Sequence, residues 1–277
     1  LSALRVANDF RPNLDDVARF LDDGGRAIFL NSPHNPTGGV ATKDDIVGLA
    51  NLVRGRDAIV LSDEPYDRMT WHDQHHTLLA QPDMLDHCVA AYTFSKSYSM
   101  SGWRLGFAAS SSRNIDMLTK LTNTCLSCVP PFTQIAGAAA LRNDREERDK
   151  RLQVFGDRVA ELADAIDKID GIHCKRPAGT FYVFPSVAEL CNELGITSHG
   201  LAMYLLEAAD DARGVACLGG ECFGDAGKGF LRMSCAEPKE RLLEAVEFLA
   251  EGVKREDRVT KFLADRPRFC LAETYTL

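Results

Sequence analysis

Apolar residues recur along this chain with two alternating periods. Leu14, Val17, Ala18 and Leu21 fall on one helical face, opened by Asn13 as a cap and closed by Gly24-Gly25. Ala27 to Asn31 follows as a short apolar strand, and Ile46, Leu49, Ala50 and Val53 form the face of a helix opened by Thr42, Asp44 and Asp45. Ala58 to Leu61, Val89 to Phe94 and Leu105 to Ala109 are further apolar runs of strand length. Strands that are apolar throughout and alternate with helices predict an α/β fold, with a mostly parallel sheet covered by helices on both faces.

Beyond residue 109 the pattern changes. Helices are expected from about Asn114 to Thr122 and from Thr133 to Leu141, with Val129-Pro130-Pro131 as the turn between them. Leu152, Phe155, Val159, Leu162, Ile166 and Ile169 then mark one long amphipathic helix, starting among Asp144 to Asp149 and ending before Gly171. Short strands follow at Ile172 to Lys175, Phe181 to Phe184, Val215 to Leu218 and Phe230 to Ser234, with helices at Leu201 to Ala209 and Glu240 to Val253. This second pattern predicts a smaller α+β domain, so residues 1–145 form one domain, and residues 146–277 a linking helix and C-terminal domain. Residues 257–277 give no assignment.

Composition narrows the class only coarsely. The 277 residues suffice for one large domain or two smaller ones, and 45% apolar with 26% charged residues is ordinary for a globular protein. A net charge of −8 argues against nucleic acid or an anionic membrane as the main partner, and no apolar run has membrane-spanning length. Nine cysteines without a stapling pattern point to reduced thiols and a cytoplasmic setting. Cys125 and Cys128 form an isolated Cys-x-x-Cys pair, with no second pair at zinc spacing. His72, His75 and His76 lie in a polar stretch that reads as a solvated connection, and no metal site is expected.

Candidate chemistry collects where strands end. The run Thr93-Phe94-Ser95-Lys96 is followed by small residues and Arg104. An amine that can form an imine, hydroxyls and a guanidinium suit a phosphorylated carbonyl compound such as pyridoxal phosphate. Asp63 and Tyr66 follow the second strand: a carboxylate facing a pyridine nitrogen keeps it protonated, and a tyrosine hydroxyl can reach the phenolic oxygen. The stretch Asn31-Ser32-Pro33-His34-Asn35-Pro36-Thr37-Gly38-Gly39 is too rich in Pro and Gly for regular structure and must be a specified loop. All three groups follow the carboxyl end of a strand, the edge where open α/β sheets bind ligands. Taken singly, each also fits a structural role: a polar hairpin, a helix cap, a turn. Arg232 stands inside the apolar strand Phe230 to Ser234, where a charge needs a partner.

Together these stretches resemble the motifs of the class I/II aminotransferases, the fold-type-I enzymes that use pyridoxal phosphate. The likeness runs from near Phe10 to about Gly252, and Thr93 departs from it, standing where Gly or Ser is usual. The resemblance implies that Lys96 carries the cofactor, that Thr93, Ser95 and Arg104 bind its phosphate, and that Asp63, Tyr66 and Asn35 contact its ring. It also implies that Arg232 holds the substrate's α-carboxylate, and that the full-length protein is a homodimer acting on amino acids and 2-oxo acids. Gly179-Thr180-Phe181-Tyr182 matches a substrate-side segment more weakly. A lyase on the same scaffold, or a cofactor-binding fragment without turnover, remains an alternative. No arginine lies between Lys120 and Pro130, where aspartate-selective relatives carry a second clamp. The family's phosphate-binding turn and stacked aromatic ring, which would precede Leu1, have no match here. A chain without them is expected to bind cofactor weakly and to expose apolar surface on a flank of the sheet. The resemblance further implies a tight turn at Asn35-Pro36, for which a cis bond is expected.

Overall fold

The structure, a computed structural model, describes residues 4–72 and 74–276. The chain divides into two compact units, one made of residues up to 35, 39–154 and 178–180, the other of residues 36–38, 155–177 and those from 181 onward.

The first unit is built on four strands, β1 (Ala27–Asn31), β2 (Ile59–Asp63), β3 (Cys88–Thr93) and β4 (Gly106–Ala109), in the order β1-β2-β3-β4. The first three are parallel and β4 is antiparallel to β3. Helix α1 (Leu14–Asp22) starts where the Asn13 side chain accepts the amides of Asp15 and Asp16. Helix α2 (Lys43–Val53) opens with a reciprocal Thr42–Asp45 capping box, and Arg11 ties the preceding chain to it by a 3.1 Å ion pair with Asp45. Both helices cover one face of the sheet: Leu21, Ile46, Leu49 and Val53 pack with Leu30, Val60, Cys88 and Ala90.

The pleat sends alternate residues to the opposite face, where Phe29 is 70% exposed and Leu61 is exposed beside it. Apolar exposure continues on α3 (Ser112–Cys125), which has no buried residue and exposes Met117 and Leu121, and on α4 (Pro131–Asn143) at Phe132 and Ile135. Both helices extend beyond the spans read from the sequence. The inner side of α4 packs Ala136 and Ala140 against Phe94, Met100 and Leu105, fixing the chain between β3 and β4.

Helix α5 (Arg145–Ile166) contains the division between the units, after Val154. The second unit holds β5 (Tyr182–Val183), β6 (Leu218–Gly219) and β7 (Leu231–Ser234), antiparallel in the order β5-β7-β6, with α6 (Ala188–Leu194), α7 (Ser198–Glu207), α8 (Lys239–Gly252) and α9 (Glu256–Asp265). Its strands are shorter than the apolar runs suggested, and the stretch expected as a strand at Ile172 to Lys175 contributes a single bridge, His173 to Ser186. Helix α9 occupies part of the stretch left unassigned, with Val259 and Phe262 on its buried side. Among the described residues no helix is long and apolar enough to cross a membrane, and no group of three ligating side chains could hold a metal.

Candidate active site

Parallel pairing aligns the carboxyl ends of β1, β2 and β3, so Asn31 stands opposite Asp63, and Asp63 opposite Ala91, with Thr93 ending β3. The Asn31 amide joins two of the three groups. It donates to the backbone oxygen of Asp63 at 3.0 Å and to its carboxylate at 3.2 Å, and its oxygen accepts the amide of Asn35 at 3.0 Å. The Asn31–Gly39 loop is closed further by Ala41 N–H on the buried Ser32 hydroxyl, 2.9 Å, and by His34 N–H on Gly39 O, 2.8 Å. Among the described residues the cis peptide bond is Ser32–Pro33, and Asn35–Pro36 is trans, so the cis bond expected at Asn35–Pro36 lies three residues earlier. The reversal is made where the chain leaves β1. Pro36 then sits in an ordinary turn that its fixed φ suits.

Gly179 shows how tightly this loop is backed. A side-chain carbon on it would meet Met69 O at 2.7 Å and Pro33 at 3.0 Å. Thr180 N–H donates to Met69 O, and Trp71 Nε1 donates to Thr180 O at 3.0 Å. Part of the weakly matching segment therefore lies against the loop after β1 and the turn after Tyr66.

Asp63 is half-buried. Burial, and then the neighbouring Glu64 charge, push its pKa above the usual carboxylate range. A cation opposite the carboxylate would draw it back down. Tyr66 is buried, and Lys96 Nζ stands 5.7 Å from the centre of its ring. Thr93 Oγ1 accepts Ser95 N–H at 3.1 Å and lies 2.9 Å from Ser95 Oγ, so the two hydroxyls expected to bind phosphate are adjacent. The loop closes through Met100 N–H on Phe94 O and Phe94 N–H on Leu105 O. Arg104 takes a left-handed backbone conformation, φ 52°, is exposed, and donates to Ser101 O at 2.7 Å. Ser97 Oγ, next to Lys96, is buried with no hydrogen-bond partner among the described residues. In the second unit, the Arg232 guanidinium on β7 lies over two rings, 4.5 Å from the centre of Tyr182 and 5.1 Å from that of Phe223.

Two features escaped the sequence reading. Asn31 was visible in its motif but carried no role. His75 is not in a solvated connection: its Nε2 is 2.7 Å from Glu64 Oε2, and its side chain is largely buried. Glu64, 1% exposed, also accepts Ser62 Oγ at 2.7 Å and Thr77 Oγ1 at 2.9 Å. The signal available was the acid pair Asp63-Glu64 at the end of a buried strand: alternation turns Glu64 away from Asp63 and into the core, where it needs a partner.

The Asn31 arrangement carries an expected outcome. Asn31→Ala removes three hydrogen bonds, each contributing about 0.5–1.5 kcal/mol, so a urea unfolding curve should show a loss of about 1.5–4.5 kcal/mol. Asn31→Asp should be worse than Asn31→Ala, because it sets a second carboxylate against Asp63. Equal stability of wild type and both variants would remove the bridging role.

A sequence profile of the family described as Aminotransferase class I and II matches residues 2–249. An aspartate aminotransferase of Pyrococcus abyssi is 34% identical over 263 residues, covering 91% of this chain and 63% of that protein. The solved structure of an aromatic aminotransferase from Pyrococcus horikoshii superposes with a TM-score of 0.83 at 32% identity, covering 91% of this chain and 66% of that one. That of an aspartate aminotransferase from Thermotoga maritima gives 0.78 at 30%, covering 90% and 62%. The chain thus spans under two thirds of the length of these relatives.

Proposed function

The chain belongs to the class I and II aminotransferase family, and from that premise we propose that it serves a pyridoxal-phosphate-dependent transfer of an amino group between an amino acid and a 2-oxo acid. The observation that carries this reading is the Asn31 amide joining Asp63 to Asn35 at the sheet edge where Lys96 stands over Tyr66.

The donor set suits that cofactor: a carboxylate whose pKa is raised by burial and by Glu64, two adjacent hydroxyls, an exposed guanidinium and an orphaned buried hydroxyl beside the amine. Asp63 would face the ring nitrogen, Tyr66 and Asn35 the ring oxygen, and Thr93, Ser95 and Arg104 the phosphate, with Lys96 bonded to the aldehyde carbon. When bound, pyridoxal phosphate supplies the electron sink for charge developing at the substrate's α-carbon. Lys96 Nζ, as a free amine, would take the proton from that carbon. Arg232 holds the α-carboxylate through its planar fork.

We take residues 1–145 as a partial cofactor-binding domain and residues 146–277 as the linking helix and small domain. The exposed apolar residues of the sheet flank, α3 and α4 support association into a homodimer, and the free cysteines support a reducing, cytoplasmic setting. The amino donor is left open. Relatives bear both aspartate and aromatic names.

The test compares two proteins. Residues 1–277 offer Thr93, Ser95 and Arg104 to the phosphate, and each further charge-assisted bond contributes about 1.5–3 kcal/mol. If two more donors come from upstream sequence, residues 1–277 should bind cofactor more weakly by about 10² to 10⁴-fold than a chain extended upstream. Transamination of an amino-acid panel with excess cofactor should be poor for the short chain and full for the extended one. Full turnover by residues 1–277 would show that the phosphate donors present suffice, and absence of transamination by the extended chain would overturn the function.

A further inference from the structure

Arg232 is held in an unusual way for a strand arginine. Its guanidinium lies over the rings of both Tyr182, at 4.5 Å, and Phe223, at 5.1 Å, each within cation–π range. Tyr182 is buried on β5, which pairs directly with β7, so this ring belongs to the same small sheet as the arginine. Phe223 comes instead from the short helical turn Gly220–Phe223 and is 38% exposed.

That turn is constrained from three sides. Gly220 and Gly227 approach so closely that a side-chain carbon on Gly220 would lie 1.8 Å from Gly227 O, and one on Gly227 would lie 2.1 Å from Gly220 O. Gly220 N–H donates to Phe230 O at 2.7 Å, joining the turn to the start of β7. Tyr275 Oη donates to the neighbouring Glu221 carboxylate at 2.9 Å. The Phe223 ring in turn meets Phe184 edge-on at 6.3 Å, and Phe184 stacks on Phe230 at 4.9 Å with planes 1° apart. A partly exposed ring at the tip of so constrained a turn is held against Arg232 and Phe184.

Two aromatic faces against one guanidinium restrict its rotation and so hold the plane in which its hydrogen-bond donors lie. A carboxylate meeting that plane edge-on forms two parallel hydrogen bonds. Taking Arg232 as the carboxylate-binding residue of the function proposed above, we infer that Phe223 is a positioning residue: with Tyr182 it clamps the Arg232 guanidinium and fixes the plane in which a substrate carboxylate is received. The ring acts through Arg232. Its aromatic face, more than its bulk, is what the role requires.

The test uses residues 1–277 with isotope-labelled arginine, wild type beside Phe223→Leu, Phe223→Tyr and Arg232→Lys, and pyruvate as the probe. Arginine side-chain NMR in the wild type should show one guanidinium strongly shifted by ring currents, absent from Arg232→Lys, that moves saturably as pyruvate is added. In Phe223→Leu that shift should shrink and the pyruvate dissociation constant should rise about 3- to 30-fold, the range expected for one lost cation–π face. Phe223→Tyr should stay within about twofold of wild type, since a tyrosine face serves the same contact. Pyruvate binding lost in Arg232→Lys but kept in Phe223→Leu overturns the positioning role alone, as does equal loss in Phe223→Leu and Phe223→Tyr. Pyruvate binding unchanged in Arg232→Lys, or absent from the wild type, overturns the carboxylate reading and the inference with it.

Discussion

Lys96→Ala should abolish the turnover proposed above for the chain extended upstream, while leaving the protein folded. Lys96 is half-buried, and its amine stands beside the Tyr66 ring, outside the cluster of Phe94, Met100 and Leu105 that holds its loop. Loss of the side chain should therefore leave the fold intact, at the cost of about 1 kcal/mol typical of a single substitution. On the proposed function, catalysis would lose two things at once. No amine remains to bond the cofactor's aldehyde carbon, and no base remains at the α-carbon. The second loss alone costs about 10² to 10⁴-fold. Two measurements separate them. Borohydride reduction of the wild type with pyridoxal phosphate should fix one pyridoxyl group on the peptide containing Lys96, and the variant should take none. Deuterium exchange at the α-carbon, followed by NMR, should fall with turnover. A label on another lysine, or exchange at the wild-type rate in Lys96→Ala, would sink the assignment.

His75→Ala should be the costliest single change near the site for stability. It leaves Glu64 buried without its imidazole partner, and breaking a buried pair from one side typically costs about 3–5 kcal/mol. Glu64→Gln should cost less, because an amide can keep the Ser62 and Thr77 contacts without a charge to neutralise. The acid limb of stability supplies a second reading. Burial alone would raise the Glu64 pKa, but the hydrogen bond and charge of His75, with the Ser62 and Thr77 hydroxyls, outweigh it, and the pKa lies below the ordinary value. A carboxyl with a lowered folded pKa binds fewer protons folded than unfolded. Its contribution is fully present above the ordinary glutamate value and is lost as pH falls through the lower folded one. Asp63 works in the opposite sense: its raised pKa means the folded state holds the proton more tightly, so it opposes folding as pH rises past the ordinary aspartate value. Urea unfolding between pH 3 and 7 should show Glu64→Gln losing the part of the acid dependence that favours folding at higher pH. An unchanged slope in Glu64→Gln, or loss below about 1 kcal/mol in His75→Ala, would show that the pair does not hold this region.

Much of the site could be read from the chain because its groups sit where strand and loop signals are strongest. Apolar runs ending at Asn31, Asp63 and Thr93 give both the strands and, through parallel pairing, a common edge. Contacts between segments distant in sequence could not be read. Two X-Pro bonds compete in the first loop with the same intrinsic preference. The structure places Gly179 against Pro33 and Ala41 N–H on Ser32 Oγ, partners that a local pattern cannot supply. Three nearby histidines look alike until one meets Glu64. Arg232 was legible as a charge inside a strand, but not its two rings, because Phe223 reaches it from a turn whose path depends on the Gly220 and Gly227 contact. Helix α9 was missed because its buried residues are few, Val259 and Phe262 among charged neighbours.

Asn31 is followed by Ser32, and a small residue after asparagine favours slow chemical ageing: the next backbone nitrogen attacks the side-chain amide carbon, ammonia leaves a cyclic imide, and water opens that ring to aspartate or isoaspartate. That attack needs the Ser32 nitrogen free to swing toward the Asn31 side chain. In the folded protein Ser32 N–H points to Asp63 O at 3.4 Å, while the Asn31 amide is held by Asp63 and Asn35. The bonds that assemble this edge therefore also protect it from deamidation. Each excursion to the unfolded state releases that protection, so the working life of the site on storage follows the time the chain spends unfolded.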